Sequence, residues 1–477
     1  MMLRKIINTT LFLPLSFFVT FQQSILSENK NFIDEIIRID EDKIFIDHQE
    51  IKNIILNNDE LKSLEELIEA SSFNLSSKIA KRYPSIDLQA NGLPKYVAGR
   101  NYNSNSNTTK TSQFSVNPSL NIRWDLIDPL RGPEIKIARE NLKIAKNNYE
   151  IKRKDLIQEA STRYHKYQKS SQDIINKKLA LDLSMTSLEN AQAKLDAGIG
   201  TKFEVLEADA QLSRDKQALY EKKIEHQINQ ISLKEILNLK KDFEIKKEQK
   251  LLGYWNHKLN KNIKNGLESN LSLKNISLQK SIRDNEANSF LNSNKPSIYI
   301  SNSLSSAFTK GDSLAIDIDP NEDGSSYSNT ISLNLSWNIF NGGQNKKSYK
   351  SRKSQAKGEE YSYNNLKSIL KTNITKAYLN LKLNEEKILS TSKEILSTKE
   401  SLRLARLRYD VGISTLKDVL VRQKELSDAK SKNINAIYNY NLNLDELERL
   451  TFLEISNNCL DNDNTIKQTE SICNIPR

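Results

Sequence analysis

The sequence predicts an α+β chain, mainly long α-helical, made of two tandem repeats that each hold two β-strands and a long helical hairpin. Three observations carry this reading. The stretch "LDAGIGTKFEVLEADAQLS" from Leu195 returns as "YDVGISTLKDVLVRQKELS" from Tyr409. Runs of apolar–polar alternation come in two pairs, one pair in each half. Two long segments are almost free of Gly and Pro, which lets a helix run on unbroken.

The composition agrees. Of 477 residues only 37% are hydrophobic and 27% are charged, with 13 Gly and 9 Pro. Few breakers and many polar residues suit long solvated helices better than one large compact core. The formal charge is +11. The Lys and Arg residues are spread along the chain and no binding motif accompanies them, so no nucleic-acid partner is expected.

At the start, Arg4 and Lys5 precede an apolar run from Leu11 to Phe21, and polar residues follow. This is a signal-peptide pattern over residues 1–27. The run is too short for a comfortable membrane span, and no other apolar stretch approaches the ~18 residues of a spanning helix. The mature chain is expected to have crossed one membrane, and then to be soluble or to enter a second one as β-strands. Residues 28–56 carry no assignment beyond a short helix.

The echo extends through both halves, residues 57–255 and 256–455. Pro84-Ser85-Ile86 returns as Pro296-Ser297-Ile298, and Trp124 as Trp337. Ser187, Leu188, Ala191, Asp196, Gly198 and Ile199 match Ser401, Leu402, Ala405, Asp410, Gly412 and Ile413, and the offset moves only from 212 to 214. That period is too long for a solenoid array. It implies two similar halves.

Each half opens with two strands, expected at about 84–92 and 114–127, and again at about 297–307 and 329–340. Leu120, Ile122, Trp124 and Leu126 alternate with Asn121, Arg123 and Asp125; Ile331, Leu333, Leu335 and Trp337 alternate with Ser332, Asn334 and Ser336. Such alternation gives one apolar and one polar face. A soluble sandwich and an outer-membrane barrel both produce it, and taken alone it favours the soluble sheet. The stretches between the strands are rich in Asn, Ser, Thr, Gly and Asp and read as long polar loops.

A long helix follows each strand pair, expected at about 133–197 and 344–411. Tyr167, Ile174, Leu181, Leu188 and Leu195 are spaced by seven, as are Leu381, Ile388, Ile395, Leu402 and Tyr409. A sustained seven-residue repeat calls for partner helices. The echoed stretch closes each long helix. Gly198 and Gly412 suit the left-handed position past a helix end. Thr201 and Thr415 suit the N-cap of a returning helix, expected at about 201–239 and 415–450. Glu204 and Asp418, three residues on, complete a capping box and its shorter-armed relative. On local sequence these tips are helix stops and starts. Residues 456–477 form a tail, where Cys459 and Cys473 are either a small disulfide loop or two unpaired thiols.

Four strands cannot close a barrel, since about eight is the practical minimum. In a membrane, several subunits would have to share one. With these pieces in order, the chain resembles the outer-membrane efflux proteins of the TolC type over roughly residues 50–455. The paired tips "LDAGIGTKFEVL" and "YDVGISTLKDVL" and the strand-to-helix passages "RWDLIDP" and "SWNIFNGG" carry the resemblance. It reverses the preference for a soluble sheet.

The resemblance implies a homotrimer in the outer-membrane lipid, with a trimeric 12-stranded β-barrel continuous with a periplasmic α-helical barrel. It implies export of small molecules or secreted proteins through docking with a periplasmic adaptor and an inner-membrane transporter, and no enzyme activity or cofactor. It places Gly198, Ile199, Gly200, Thr201, Gly412, Ile413, Ser414 and Thr415 at the adaptor-docking tips, and Asp418 in an acidic ring at the pore constriction. Tyr409 and Glu204 match latch positions. Some members carry a second acid where this chain has Val421, and an Arg where it has Ser414, so the latch is incomplete. The competing class is a periplasmic adaptor or coiled-coil structural protein, but such a protein has one central hairpin rather than two equivalent ones. His48, His165, His226 and His257 are scattered with no metal spacing, and no nucleophile motif is present.

Overall fold

The computed structural model describes residues 44–102, 108–245, 251–312 and 324–456. The expected signal peptide, Cys459, Cys473 and most of the tail lie outside the described residues. The elements in chain order are β1 (Ile44–Ile46), α1 (Ile51–Ile54), α2 (Asp59–Ala80), β2 (Ser85–Tyr102), β3 (Thr108–Ile127), α3 (Arg131–Asp196), α4 (Lys202–Ile236) and β4 (Phe243–Ile245). The second half gives α5 (Leu259–Ser269), α6 (Leu271–Asn292), β5 (Ser297–Asp312), β6 (Gly324–Ser336), α7 (Gln344–Asp410) and α8 (Leu416–Thr451).

The four long strands form one antiparallel sheet in the order β2-β3-β5-β6. Directly opposed residues share a face. Ile86 pairs with Ile122, Leu88 with Leu120, Trp124 with Ile300, and Ile300 with Leu333, so one face is apolar from edge to edge. The other face is polar, with small side chains that bond across the strands and with Arg123, Asp125 and Tyr299 at its helical end. Ser303 Oγ donates to Asn121 Oδ1 at 2.8 Å, and the Ser301–Ser332 and Ser305–Ser328 hydroxyl pairs also lie at 2.8 Å. Ile86, Leu88, Ile331, Leu333 and Leu335 are all well exposed. No element among the described residues covers the apolar face.

The expected strand limits are too short. The β2–β3 ladder continues to the Tyr102–Thr108 pair, and β5 runs on to Asp312 against β3. Composition misled because Asn, Ser and Thr have turn chemistry when alone, while the ladder is built from backbone groups that every non-proline residue supplies. At the other limit, β6 ends at Ser336 rather than near residue 340.

α3 and α7 have 66 and 67 residues, each on the order of 100 Å of helix at ~1.5 Å per residue. Against the first part of α3 lies α2, and against its last part α4; α6 and α8 pack on both α3 and α7. The lateral order below the sheet is therefore α2-α3-α6-α7, matching the strands that each helix joins, and then α4-α3-α8-α7 further down. α2 and α6 have 22 residues each and received no assignment from sequence. Leu61, Leu64, Ile68, Leu75 and Ile79 of α2 do recur at helical spacing, and the long neighbours supply the packing for both helices.

Between the two levels the chain thickens. β1 pairs in parallel with β4, a strand not expected for residues 28–56, where the short helix α1 follows it. Ile46, Ile51, Ile55 and Leu61 pack there on Leu156, Tyr164, Leu233 and Phe243. The second half builds its own core from Tyr254, Trp255, Ile374, Leu381, Ile388, Tyr440 and Leu444. Gly266 lies so close to α7 and α8 that a Cβ would meet Ile374 Cδ1 at 2.5 Å and Leu450 O at 2.8 Å.

The seven-residue seams are used unequally. Leu381, Ile388, Leu402 and Tyr409 of α7 are buried. On α3 the residues fully buried in its lower half are mostly polar, among them Asp173, Asn176, Ser184 and Ser187. Asn176 and Ser187 face α8, where Asn176 Nδ2 donates to Ser427 O at 2.9 Å and Gln423 Nε2 to Ser187 Oγ at 2.8 Å, while Ser184 bonds to Asp215 and Asp173 pairs with Lys222, both on α4.

Leu381 is 0% exposed. Leu381→Ala is expected to cost about 2–5 kcal/mol through lost burial and the cavity left behind. Lys387→Ala, on the exposed side of the same helix, should stay within roughly 0.5 kcal/mol of wild type. Denaturant unfolding of the purified protein followed by circular dichroism compares the two.

Candidate functional site

The two hairpin tips are built alike. α3 ends at Asp196, and Gly198 takes φ +76°, a left-handed conformation that costs an L-residue with a side chain roughly 1–2 kcal/mol. The N–H groups of Ile199 and Gly200 return to Lys194 O at 3.0 and 2.9 Å. In the second tip Gly412 takes φ +79° and Ile413 N–H returns to Arg408 O at 2.9 Å. Each turn satisfies helix-end carbonyls that would otherwise face water alone. Ile199 and Ile413 stand at the ends, 77% and 79% exposed.

The returning helices begin differently. In the first tip the capping box is complete: Glu204 N–H donates to Thr201 Oγ1 at 3.2 Å, and Thr201 N–H to Glu204 Oε2 at 3.3 Å. In the second, Asp418 N–H donates to Thr415 Oγ1 at 3.4 Å, but the reciprocal bond is replaced. Asp418 is one methylene shorter than Glu. Its Oδ2 instead accepts from Ser414 Oγ at 2.6 Å. That hydroxyl, with the helix-start donors at Thr415, holds the exposed Asp418 carboxyl below its ordinary pKa.

The position equivalent to Ser414 in the first tip is Gly200. A Cβ there would meet Leu195 N at 2.8 Å and Lys194 Cβ at 2.9 Å. The tighter first turn thus excludes the hydroxyl that the second turn uses.

The tips are also tied to each other. Lys194 Nζ donates to Tyr409 O at 2.8 Å and sits 3.5 Å from the centre of the Tyr409 ring. Tyr409 is buried, and its hydroxyl has no hydrogen-bond partner among the described residues. Burial, then the nearby Glu204 charge, raises its pKa. The two latch candidates are therefore brought near each other without a hydrogen bond, because Glu204 is spent on its own helix start. Ala191, Val205, Leu402, Leu416 and Val419 form the apolar core just above the tips.

At the opposite end, the sheet-to-helix passages repeat one contact. Trp124 Nε1 donates to Arg82 O at 2.9 Å, and Trp337 Nε1 to Asn294 O at 2.8 Å. An indole with its N–H satisfied and its ring exposed suits a membrane–water boundary.

Sequence reading missed one cluster. His48 and His165, distant in the chain, meet at buried Asp445 on α8. Burial works to raise that carboxyl, but the bond from His165 and the nearby His48 imidazole outweigh it and draw its pKa down to about 2. No sequence spacing could signal this, since its three members come from three elements.

A family model described as outer membrane efflux protein matches residues 51–239 and 264–451, both halves of the chain. The chain belongs to this family. Among solved structures, the efflux protein is similar to CusC, a channel-forming protein, at a TM-score of 0.72 and 14% identity, over 87% of this chain and 95% of that one. It is similar to the outer membrane protein VceC from Vibrio cholerae at a TM-score of 0.68 and 14% identity, over 85% of this chain and 96% of that one. It is also similar to the CmeC outer membrane channel from Campylobacter jejuni, with a TM-score of 0.68, 16% identity and 89% of each chain covered. Compared by sequence with curated proteins, it gives no match. No helix among the described residues is long and apolar enough to cross a membrane. The protein is a non-enzymatic outer-membrane efflux channel with a large periplasmic helical part.

Gly198→Ala and Gly412→Ala should each loosen their own tip by about 1–2 kcal/mol. Amide hydrogen exchange read by mass spectrometry is expected to rise about 5- to 30-fold at that tip alone. Unchanged exchange there would show that the left-handed turn is not what holds it.

Proposed function

We propose that three copies of the efflux protein assemble into one tube. Their sheets close a 12-stranded barrel in the outer membrane, and their helices close the wall beneath it. The single observation that carries this is the pair of strand edges, β2 and β6, that have no partner among the described residues, on a sheet whose exposed face is apolar. Two four-stranded sheets only just reach the ~8-strand minimum, and three leave room for a passage.

The helices support the same closure. α4 and α7 flank the lower array. On α4, Tyr220, Ile224, Ile228 and Ile231 form an exposed apolar stripe, and on α7 Leu379, Leu383, Leu396, Leu404 and Leu407 are exposed. Each stripe has its counterpart on the other edge of a neighbouring copy. A trimer joined this way continues the sheet and both helical layers without a break.

In the assembled tube the tips form the periplasmic end. Gly198 to Thr201 and Gly412 to Thr415 present rigid turns with one exposed isoleucine each, which a periplasmic adaptor would cover, and an inner-membrane transporter would supply the cargo. Three copies of Asp418 ring the narrow end. Close like charges in a constriction attract cations and raise one another's pKa. The Ser414 hydroxyl opposes that rise. Tyr409 stands behind the ring and joins the tips through Lys194, while Glu204 caps its own helix.

Single-channel recording in a planar bilayer tests this reading. Wild type should give small cation-selective steps, and Asp418→Ala larger or unselective ones. Protein that gives no steps after reconstitution, or that runs as a monomer in native mass spectrometry, would overturn the tube. Steps unaltered by Asp418→Ala would return that residue to helix capping.

The pH dependence follows from the depressed carboxyl. A group with a lowered pKa keeps its charge as pH falls, and loses it only on passing the lowered value. Cation selectivity should therefore fade on acidification, and Ser414→Ala should move that midpoint to higher pH. A midpoint at the same pH in both proteins would exclude the hydroxyl as its cause.

A further inference from the structure

The fold gathers three metal-competent side chains at its waist, away from the tips and the sheet. His48 follows β1, His165 lies in mid-α3, and Asp445 lies near the end of α8. His165 Nε2 is 3.1 Å from Asp445 Oδ2, and His48 Nε2 is 3.6 Å from Oδ1. One ligand atom from each lies within 4.8 Å of the other two. We infer that His48, His165 and Asp445 form a binding site for a divalent transition cation of the Zn²⁺ class.

The donor set comes first. Two imidazoles and one carboxylate form a ligand set that Zn²⁺ accepts, with water in the fourth position. A tetrahedral ion with bonds of about 2.0–2.1 Å holds its ligands about 3.3 Å apart. The contacts of the two imidazoles, one to each Asp445 oxygen, fall on either side of that value, and their ring centres lie 5.0 Å apart. A second observation is independent of the distances. His48 Nε2 is buried and has no hydrogen-bond partner among the described residues. At 3.6 Å it is too far from Asp445 to bond to it, yet it faces a carboxylate oxygen. A shared cation removes both defects. An ion pair between His165 and Asp445 accounts for the shorter contact alone and leaves His48 Nε2 unsatisfied, at the cost of a buried polar atom.

The site also has an open side. A cavity of about 310 Å³ is lined by His48, Ser161, Asp445 and Glu448, and also by Lys52, Lys154, Arg153 and Arg449, of which the two arginines are paired with Glu150 and Asp155. It gives room for the fourth ligand and a way in from solvent. Lys52 is already paired with Glu448 at 2.9 Å, which reduces its repulsion of an entering cation. The three ligands come from the strap after β1 and from both hairpins. A bound cation would therefore pin the start of the described chain across the α3–α8 contact.

The test uses the full-length protein in detergent, stripped with a chelator and titrated with ZnCl₂. Metal content by mass spectrometry should reach one Zn²⁺ per chain. Competition with a chromophoric chelator should show that affinity falls about 100-fold or more in His48→Ala, and remains in the control His257→Ala. Zn²⁺ should raise the thermal midpoint of wild type but not of the variant. His48→Gln provides a second variant should His48→Ala fold poorly by circular dichroism. Equal Zn²⁺ uptake by wild type and the folded variant, or none by wild type, would overturn the site and leave the cluster as an ion pair.

Discussion

Along β2 and β6 runs a row of outward-facing backbone N–H and C=O groups with no partner among the described residues. In water such edges are merely sticky. In hydrocarbon each unsatisfied group costs several kcal/mol, because nothing there can bond to it. A handful of them exceeds the ~5–15 kcal/mol by which a folded domain is stable at all. The sheet alone therefore sets the terms for the rest of the molecule. It can lie in a membrane only if its edges meet other edges, and the apolar face that would be a liability in water then finds lipid.

The helical part obeys the same terms by construction. Its lateral order copies that of the sheet because each long helix leaves the strand directly above it. Whatever closes the strands also brings α7 against a neighbour's α2 and α4. Inside one chain the contacts differ in character. The α7–α8 hairpin is held by an apolar core around Leu381, Ile388, Tyr440 and Leu444, whereas α3 meets α8 through Asn176, Ser187, Gln423 and Ser427. Apolar contacts tolerate sliding, while hydrogen bonds between fixed partners do not. The polar seam sets the register of one hairpin against the other, and the apolar ones supply most of the binding.

Much of this was legible in the sequence because it is local or periodic. The alternation around Trp124 and Trp337, the breaker-free runs, and Gly198 and Gly412 each impose a backbone consequence within a few residues. The duplication doubled each signal. What escaped was set by distant partners. The polar ends of β2 and β5 are strands only because β3 holds them, and α2 and α6 are helices whose packing face is supplied by α3 and α7. His48, His165 and Asp445 are neighbours only in the folded chain. At the tips the sequence marked the correct residues but not their bonds. The Lys194–Tyr409 contact joins the two halves, so neither tip read by itself reveals it.

The two tips also show how duplication separates roles without changing the fold. Both must stop one helix and start another, and both do so with a left-handed glycine and a threonine cap. Glu204 is long enough to reach back to Thr201 N–H, so its charge is absorbed by the helix start. Asp418 is one methylene shorter, and its carboxylate stays exposed, with the Ser414 hydroxyl as its side-chain partner and the Thr415 N–H beside it. The serine is possible only because the second turn lacks the close approach that keeps Gly200 a glycine. One methylene and one Cβ thus turn a structural cap into an accessible anion, at a point where each copy in a closed tube would contribute one.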